Sequence, residues 1–164
     1  MKITRLITPY LAIFLLLLMA GCATVPMSSP AADAAAKQFK PVPDKSVLYV
    51  YRDESMGAAV RMDVKIDGET CGQTAADTYF RFVLPPGNHK ITSVAENTDS
   101  VDIDMKPGQL YYVWQEVKMG VLYARSKLHV IGANKGQTDI RSCKLALPTP
   151  KKAPPAVATA HARQ

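Results

Sequence analysis

The feature that most constrains this chain is a series of short apolar runs separated by Gly and Pro residues. Residues 60–66 alternate apolar and charged side chains, which is the period-two pattern of a strand with one buried face. Asp67-Gly68 follows directly and is typical of a tight hairpin turn. The pattern predicts strands at residues 46–52, 60–66, 79–84, 89–95, 101–105, 110–117, 127–131 and 139–147.

These runs predict an all-β fold, a single β-sandwich of about seven to eight mostly antiparallel strands over residues 39–147. No helical stretch of ten or more residues competes with this interpretation. Residues 46–52 and 110–117 are apolar on both faces, and we expect the packing of two sheets to bury both faces. Pro85-Pro86-Gly87 predicts a tight reversal that pairs residues 89–95 back against the preceding strand. An open barrel is the alternative fold.

The first 21 residues have the parts of an export signal. Lys2 and Arg5 form a short basic segment, and Leu6–Met19 is almost entirely apolar. The uninterrupted run from Tyr10 to Ala20 has only eleven residues, whereas a helix that spans a bilayer needs about 20. A cleaved signal peptide over residues 1–21 is therefore predicted, rather than a retained transmembrane helix.

The end of this segment, Leu18-Met19-Ala20-Gly21-Cys22, resembles the lipobox of bacterial lipoproteins, with Met19 where that box usually has Leu. The resemblance implies cleavage before Cys22 and covalent lipid on that residue, and two or more acyl chains anchor a protein stably. Because Ala23 rather than Asp follows, the resemblance implies the periplasmic face of the outer membrane. An ordinary secretory peptide that leaves Cys22 as a thiol is the alternative. No cofactor other than this lipid is expected.

Low-complexity segments flank the predicted domain. Residues 22–38 predict a flexible tether that begins at the lipidated cysteine and includes a short helical turn. Residues 148–164 predict a flexible tail rich in Pro, Ala and Lys. The whole chain has a net charge of +6, but residues 39–147 hold 14 Lys and Arg against 13 Asp and Glu. A nearly neutral domain in an exported protein argues against nucleic acid as a partner.

Two further resemblances concern the domain. Val64-Lys-Ile-Asp-Gly68, then Gly72, then Phe82-Val-Leu-Pro-Pro-Gly87-Asn-His-Lys-Ile91 resembles the PEGA-type surface module, in which Asp-Gly and Pro-Gly turns connect short strands. The wider stretch from Phe39 through Val113 is similar to a family of small bacterial envelope lipoproteins with a single domain of unknown function. Together they imply a β-sandwich on an envelope lipoprotein, without a known activity and without catalytic residues to transfer.

Cys71 and Cys143 are the two cysteines of the predicted domain. In an oxidising compartment they can form a disulfide. Closing the loop of about 72 residues between them would stabilise the fold by roughly 4 kcal/mol. Two separately buried thiols are the equal alternative.

The sequence offers little for metal binding or catalysis. His89, His129 and His161 are far apart, and none lies at ligand spacing to another His or Cys. The chain has no Gly-x-Ser-x-Gly elbow and no activated-cysteine motif. We therefore expect no metal site, no catalytic residue and no enzyme activity, with a glycan-active hydrolase as a remote alternative.

The aromatic residues are ambiguous between core and surface. Exposed aromatic clusters mark binding sites. Tyr112 and Trp114 share one strand face and Tyr123 follows in the next loop, so these three residues form the candidate binding surface, with burial in the core as the alternative. Loops 53–59 and 118–125 are where such a surface is expected to form.

The function expected from these features is a lipid-anchored, non-enzymatic envelope module that binds a partner. That partner would be an envelope protein or the peptidoglycan of the cell wall. The alternative is a structural spacer or a stress-related accessory lipoprotein. An apolar or aromatic surface patch would favour binding, whereas a uniformly charged surface would favour a spacer.

Overall fold

The computed structural model describes residues 24–55, 57–121 and 124–149. Its strands form two sheets, which confirms the predicted all-β sandwich. The strands are β1 (Ser46–Arg52), β2 (Met62–Ile66), β3 (Glu69–Thr74), β4 (Thr78–Leu84), β5 (Gly87–Val94), β6 (Thr98–Met105), β7 (Leu110–Met119), β8 (Ala124–Ile131) and β9 (Lys144–Leu145). Two short helices, α1 (Pro30–Ala36) and α2 (Ala133–Ser142), complete the described elements.

The larger sheet has the order β8-β7-β1-β4-β9, and the smaller sheet has the order β3-β2-β5-β6. Five of the strand pairings are antiparallel, while β1 with β7 and β4 with β9 are parallel. All seven residues of β1 are buried, as expected for a central strand rich in β-branched and aromatic residues. The prediction of mostly antiparallel strands is therefore confirmed.

The two faces of the larger sheet are buried by different layers. Leu48, Val50 and Phe80 point into the core between the two sheets. Tyr49, Tyr79 and other residues of the opposite face pack under the helices, against Ala36, Phe39 and Ile140. The expectation that two-sheet packing buries both faces is wrong, because a second sheet covers only one face and the helices cover the other.

Helix α1 corrects the predicted tether. Ser29 caps it through a hydrogen bond from Ala32 N to Ser29 Oγ (3.2 Å), and Pro30 occupies its first turn. Asp33 then clamps the helix to the sheet, since its Oδ1 accepts hydrogen bonds from Tyr79 Oη (2.9 Å) and Leu145 N (2.9 Å). Residues 24–38 are thus part of the domain rather than a flexible linker. Cys22 and residues 1–21 lie outside the described residues.

The segment before α1 pairs with the end of the chain beside β9. Met27 forms an isolated antiparallel bridge with Ala146, and Ser28 N donates to Leu145 O (2.9 Å). Val25 is 7 % exposed and lies in the core between the sheets. A segment that pairs its backbone and buries a side chain in the core belongs to the domain, which explains why the tether prediction failed here.

Helix α2 replaces residues 139–142 of the predicted strand 139–147, of which only β9 remains as a strand. The helix is polar and contains Gly136, so its sequence carries a weak helix signal. It forms because Gly136 and Ile140 lie on its buried face, where Gly136 meets the ring of Tyr112. Tertiary packing therefore outweighs local propensity.

Two other details of the strand prediction are wrong. Residues 89–95 do not pair back on β4, because Pro85-Pro86 carries the chain into the other sheet, where β5 pairs with β2 and β6. Strand β3 was not predicted, since its polar sequence Glu-Thr-Cys-Gly-Gln-Thr lacks an apolar face. The Asp67-Gly68 hairpin is confirmed, with positive φ at both residues.

Replacing Gly136 with Ala should destabilise the fold. The added Cβ would lie 2.6 Å from Cγ of Tyr112, a residue that is 1 % exposed and whose ring packs against the rings of Tyr49 and Phe39. We expect a loss of about 1–3 kcal/mol in the free energy of unfolding, measured by chemical denaturation. Thr138→Ala, an exposed position of the same helix, is the control, and an equal effect of both changes would contradict this packing account.

His89 forms a second structural contact with consequences for stability. Its Nδ1 lies 2.7 Å from Asp67 Oδ2 and its Nε2 lies 2.9 Å from Pro85 O. Both partners accept hydrogen bonds, so the doubly protonated ring satisfies them best. Burial alone would lower the pKa of His89, but the bonds to Asp67 and Pro85 outweigh burial and raise it above its usual value.

The protonated His89 should therefore make stability depend on pH. Because its pKa is raised on folding, its contribution is fully present below the unfolded pKa of about 6.5 and is lost as the pH rises through the folded pKa. We expect the free energy of unfolding to fall in this window and the His89→Gln variant to lose that dependence. Asp67→Asn, which keeps a residue suited to positive φ, should flatten the same window. Unchanged slopes in both variants would contradict the assignment.

Candidate functional site

The strongest candidate for a functional surface is the end of the sandwich where the loop after β1 meets the β7–β8 hairpin. Arg52, the last residue of β1, is fully buried there. Its Nη2 donates to Gly57 O (2.6 Å) and its Nη1 donates to Val60 O (2.7 Å). One buried guanidinium thus shapes the described part of loop 53–60, because it holds two of the carbonyl groups of that loop.

Carboxylates and an amide hold the hairpin to its neighbours. Glu54 Oε2 accepts a hydrogen bond from Val117 N (2.7 Å), which joins the loop after β1 to β7. Asn97 bonds both backbone groups of Ser126, with its Nδ2 donating to Ser126 O (2.9 Å) and its Oδ1 accepting from Ser126 N (2.8 Å). Asp99 Oδ2 accepts from Leu128 N (2.7 Å). These contacts join β8 to the smaller sheet and make the base of the hairpin rigid.

A network of hydrogen-bonded polar side chains lies beneath the hairpin inside the sandwich. Thr74 Oγ1 donates to Gln115 Oε1, Gln115 Nε2 donates to Ser93 Oγ, and Ser126 Oγ lies 2.7 Å from Ser93 Oγ. All four residues are buried, and their hydrogen bonds connect one sheet to the other. A satisfied buried network fixes the relative positions of the strands that carry it.

The described residues beside the turn of the hairpin include exposed apolar side chains. We call residues 118–121 and 124–125 the hairpin tip. Met119 and Val121 are each 87 % exposed, the highest exposures among the large apolar side chains described. Lys118 and Arg125 are directly opposite each other in the strand register and both are exposed. Lys118 Nζ already pairs with Glu116 Oε1 (2.5 Å), which offsets part of the repulsion between these two cations. The tip therefore presents apolar side chains beside Arg125 and an ion-paired Lys118.

Trp114 lies on the flank of this end, on the outer face of the larger sheet. The ring of His129 stacks against it, with centroids 5.1 Å apart, and Lys135 Nζ lies 5.8 Å from the indole centroid. Lys135 also bonds Asp139 Oδ2 (2.8 Å), which accepts a second bond from Tyr51 Oη (2.6 Å). The indole is thus half-buried between neighbours that belong to the fold.

Asp53 lies close to the same cluster and is held in an unfavourable environment. Burial raises its pKa, and the Asp139 carboxylate acts in the same direction. The indole N–H of Trp114 favours the charged form, although the contact lacks the geometry of a normal hydrogen bond, since Asp53 Oδ1 and Trp114 Nε1 both remain unpaired. The described neighbours only partly compensate the burial of this carboxyl.

The structure separates the three aromatic residues predicted to form a binding surface. Tyr112 is 1 % exposed, stacks on Tyr49 (5.4 Å between centroids) and accepts a bond from Gln137 Nε2 (3.0 Å). Its assignment to a surface is wrong, because α2 covers this face of β7. Trp114 is half-buried, and Tyr123 lies outside the described residues.

Cys71 and Cys143 are not bonded to each other. Cys143 is fully buried on the helix-covered face of the larger sheet, and Cys71 packs against the core between the sheets. The disulfide prediction is wrong because the two thiols lie on opposite faces of the larger sheet. Of the alternative, two separately buried thiols, the separation is confirmed and Cys143 is buried, but Cys71 is only half-buried. Burial raises the pKa of Cys143 to about 12, so its thiol stays protonated at neutral pH.

Among the described residues, the geometry does not support a metal site, a membrane-spanning helix or a hydrolase site. In the described ranges, no group of three His, Cys, Asp or Glu side chains is placed to hold a metal ion. Nor does any described helix combine the length and apolarity needed to cross a membrane. Three acids of the segments 60–67 and 101–105 have separate partners: Asp63 accepts from Gln73, Asp67 contacts His89 and Asp104 pairs with Lys106.

The role of most residues that hold the tip could not be predicted from the sequence. Loops 53–59 and 118–125 were expected to carry a surface, and the structure places them side by side. Arg52, Glu54 and Asn97 were not singled out, because a charged residue at a strand end is normally solvated. The available signal was Arg52 itself, a cation that ends an otherwise fully apolar and aromatic strand.

Replacing Arg52 with Met should loosen the loop and lower stability. The carbonyls of Gly57 and Val60 would lose a charged donor, at a cost of about 2–3 kcal/mol. We expect faster amide hydrogen exchange across residues 57–61 and a lower free energy of unfolding. Arg61→Met, at an exposed position nearby, is the matched control. Equal exchange in the two variants would show that Arg52 does not hold the loop.

Comparison with known proteins places this architecture in a family. The model of the family described as protein of unknown function (DUF2846) matches residues 43–127, from before β1 through the first half of β8. An uncharacterized protein of Haemophilus influenzae is 35 % identical over 133 residues, which cover 80 % of this chain and 79 % of that protein. The predicted relation to bacterial proteins with a domain of unknown function is confirmed, while the PEGA-type and lipoprotein resemblances stay predictions. The chain therefore belongs to the DUF2846 family.

Proposed function

We propose that this protein is a non-enzymatic envelope module that is lipid-anchored at Cys22 and docks a partner protein through the hairpin tip. The anchor would hold it at the periplasmic face of the outer membrane. The partner surface that fits the tip is an apolar pocket with carboxylates on its rim. The observation that carries the proposal is the 87 % exposure of both Met119 and Val121 on a hairpin with a fixed base.

This exposure costs free energy in an isolated protein. Each large apolar side chain left in water forgoes roughly 1.5–3 kcal/mol of burial. Loop 53–60 and Asn97 hold the hairpin in place, so its tip stays extended instead of collapsing onto the domain. A rigid apolar projection with Arg125 on its rim is well suited to a pocket, because binding then orders few groups and brings carboxylates to Arg125.

A protein partner is preferred over the peptidoglycan for a specific reason. Glycan recognition on a sandwich surface needs an aromatic ring whose face is open to a sugar. Trp114 is the indole nearest this end, and His129 and Lys135 already lie against it. Both would have to move before a sugar ring could stack. The spacer alternative is less favoured, since a spacer has no use for an exposed apolar tip.

The test is site-specific photo-crosslinking in intact cells. A photoreactive amino acid at Met119 should give one discrete protein adduct, and the additional change Val121→Asp should abolish it. Val130, an apolar residue at the opposite end of β8 that is 56 % exposed, is the matched control position and should give no adduct. Flotation of membranes from cells with Cys22 and with Cys22→Ala reports on the anchor separately.

Several outcomes would contradict the proposal. Adducts of the same size from positions 119 and 130 would mean that the tip is not a specific surface. A lack of adducts from a membrane-bound protein would favour the spacer. If the wild type fails to float with membranes, the lipid anchor is wrong, whatever the tip binds.

A further inference from the structure

The described chain begins already attached to the domain, and this constrains how an anchored protein can lie. Val25 is buried in the core between the sheets, and Pro26 O accepts a hydrogen bond from Leu147 N (2.8 Å). Residues 24–28 therefore lie along β9 and the residues after it, at the outer edge of the larger sheet. We call residues 24–28 and 145–149 the anchor edge.

Only Ala23 separates Cys22 from this edge. Two peptide units span at most ~7 Å, because consecutive Cα atoms are ~3.8 Å apart and chains extend by less. A lipid on Cys22 would thus hold Thr24 close to the bilayer surface, without a spacer that lets the domain rotate freely. This step rests on the lipid anchor of the proposed function.

The anchor edge has a surface that suits contact with lipid headgroups. Met27 is 40 % exposed, Leu147 is 48 % exposed, and Pro26 and Pro148 beside them are also exposed. The Leu147–Pro26 hydrogen bond joins the two backbones. Pro26, Leu147 and Pro148 line one cleft at this edge, and Met27 lines another. In the sequence, Lys151 and Lys152 follow Thr149 almost at once, and basic residues beside an apolar patch favour an anionic bilayer.

The strand order then determines where the hairpin tip points. The anchor edge lies beside β9, and β7 and β8 lie at the opposite side of the same sheet. Four strand spacings separate β9 from β8, which at about 4.8 Å each amounts to roughly 19 Å. The larger sheet thus separates the anchor edge, which lies near the lipid, from the hairpin tip, which lies far from it.

We infer that the anchored protein lies with residues 24–28 and 145–149 against the lipid bilayer and presents the β7–β8 hairpin tip away from it. The orientation is set by the fold and not by a flexible linker. The same edge is thereby closed to partner proteins. The tip stands clear of the headgroups, where a partner in the periplasm or anchored elsewhere in the envelope can reach it.

Methionine oxidation tests this orientation within one chain. Met27 lies on the anchor edge and Met119 on the tip, while Met62 and Met105 are fully buried references. Peroxide converts an exposed thioether to the sulfoxide, and mass spectrometry gives the rate for each residue. The samples are the lipidated protein on vesicles of phosphatidylethanolamine and phosphatidylglycerol, and the soluble mature chain with Cys22→Ser.

We expect oxidation of Met27 to be several-fold slower on the vesicles than in the soluble chain, with the rate of Met119 unchanged. Inserting a Gly/Ser linker of about 12 residues between Cys22 and Thr24 allows an excursion of roughly 19 Å. It should restore fast oxidation of Met27 while the protein stays bound.

The results that overturn the inference are distinct. Equal rates for Met27 in bound and soluble samples, or slowing of Met119 instead, would mean that the domain lies differently. Protection of Met27 in the soluble chain that grows with concentration would assign the edge to a second copy. Loss of vesicle binding points to the anchor, and coupling Cys22 of a Cys71→Ser chain to a maleimide lipid then tests the orientation by itself.

Discussion

The rest of this structure depends on burying both faces of one strand. Every residue of Ser46–Arg52 is excluded from solvent, so two separate layers must cover β1 and its neighbours. The smaller sheet covers the face with Leu48 and Val50, and the helices with Phe39 cover the face with Tyr49. This requirement recruits the segment before residue 39 into the domain, since without α1 the Tyr49 hydroxyl would lose its bond to Ala36 O (2.7 Å).

The same strand also builds the candidate site. β1 ends in a buried cation, Arg52, instead of an apolar residue. Its guanidinium binds carbonyl groups of the loop after β1 and holds that loop against the strand. The acids that follow it have pKa values raised by burial, as for Glu54, whose charge is partly offset by the Val117 N–H and by Arg52. A strand that anchors the core thus fixes the loop and the hairpin that carry the exposed tip.

The geometry gives the larger sheet two unlike sides. One side holds the paired ends of the described chain, where Leu147 N donates to Pro26 O. The other side holds the hairpin with Met119 and Val121. A lipid attached close to the first side and a partner held by the second would use the width of the sheet as the distance between them. The folded sheet would then also set the distance between the lipid and the hairpin tip.

The sequence by itself determined the strands whose side chains alternate, such as residues 60–66 and 101–105, and the Asp67-Gly68 turn, because these features depend on neighbouring residues. It also pointed to the two loops that form the tip. Only the tertiary structure decided that Pro85-Pro86 crosses between sheets, that residues 139–142 are helical and that Tyr112 is buried. Each of these depends on what packs against the segment from far along the chain, as Gly136 does against Tyr112, and a local pattern carries no record of that contact.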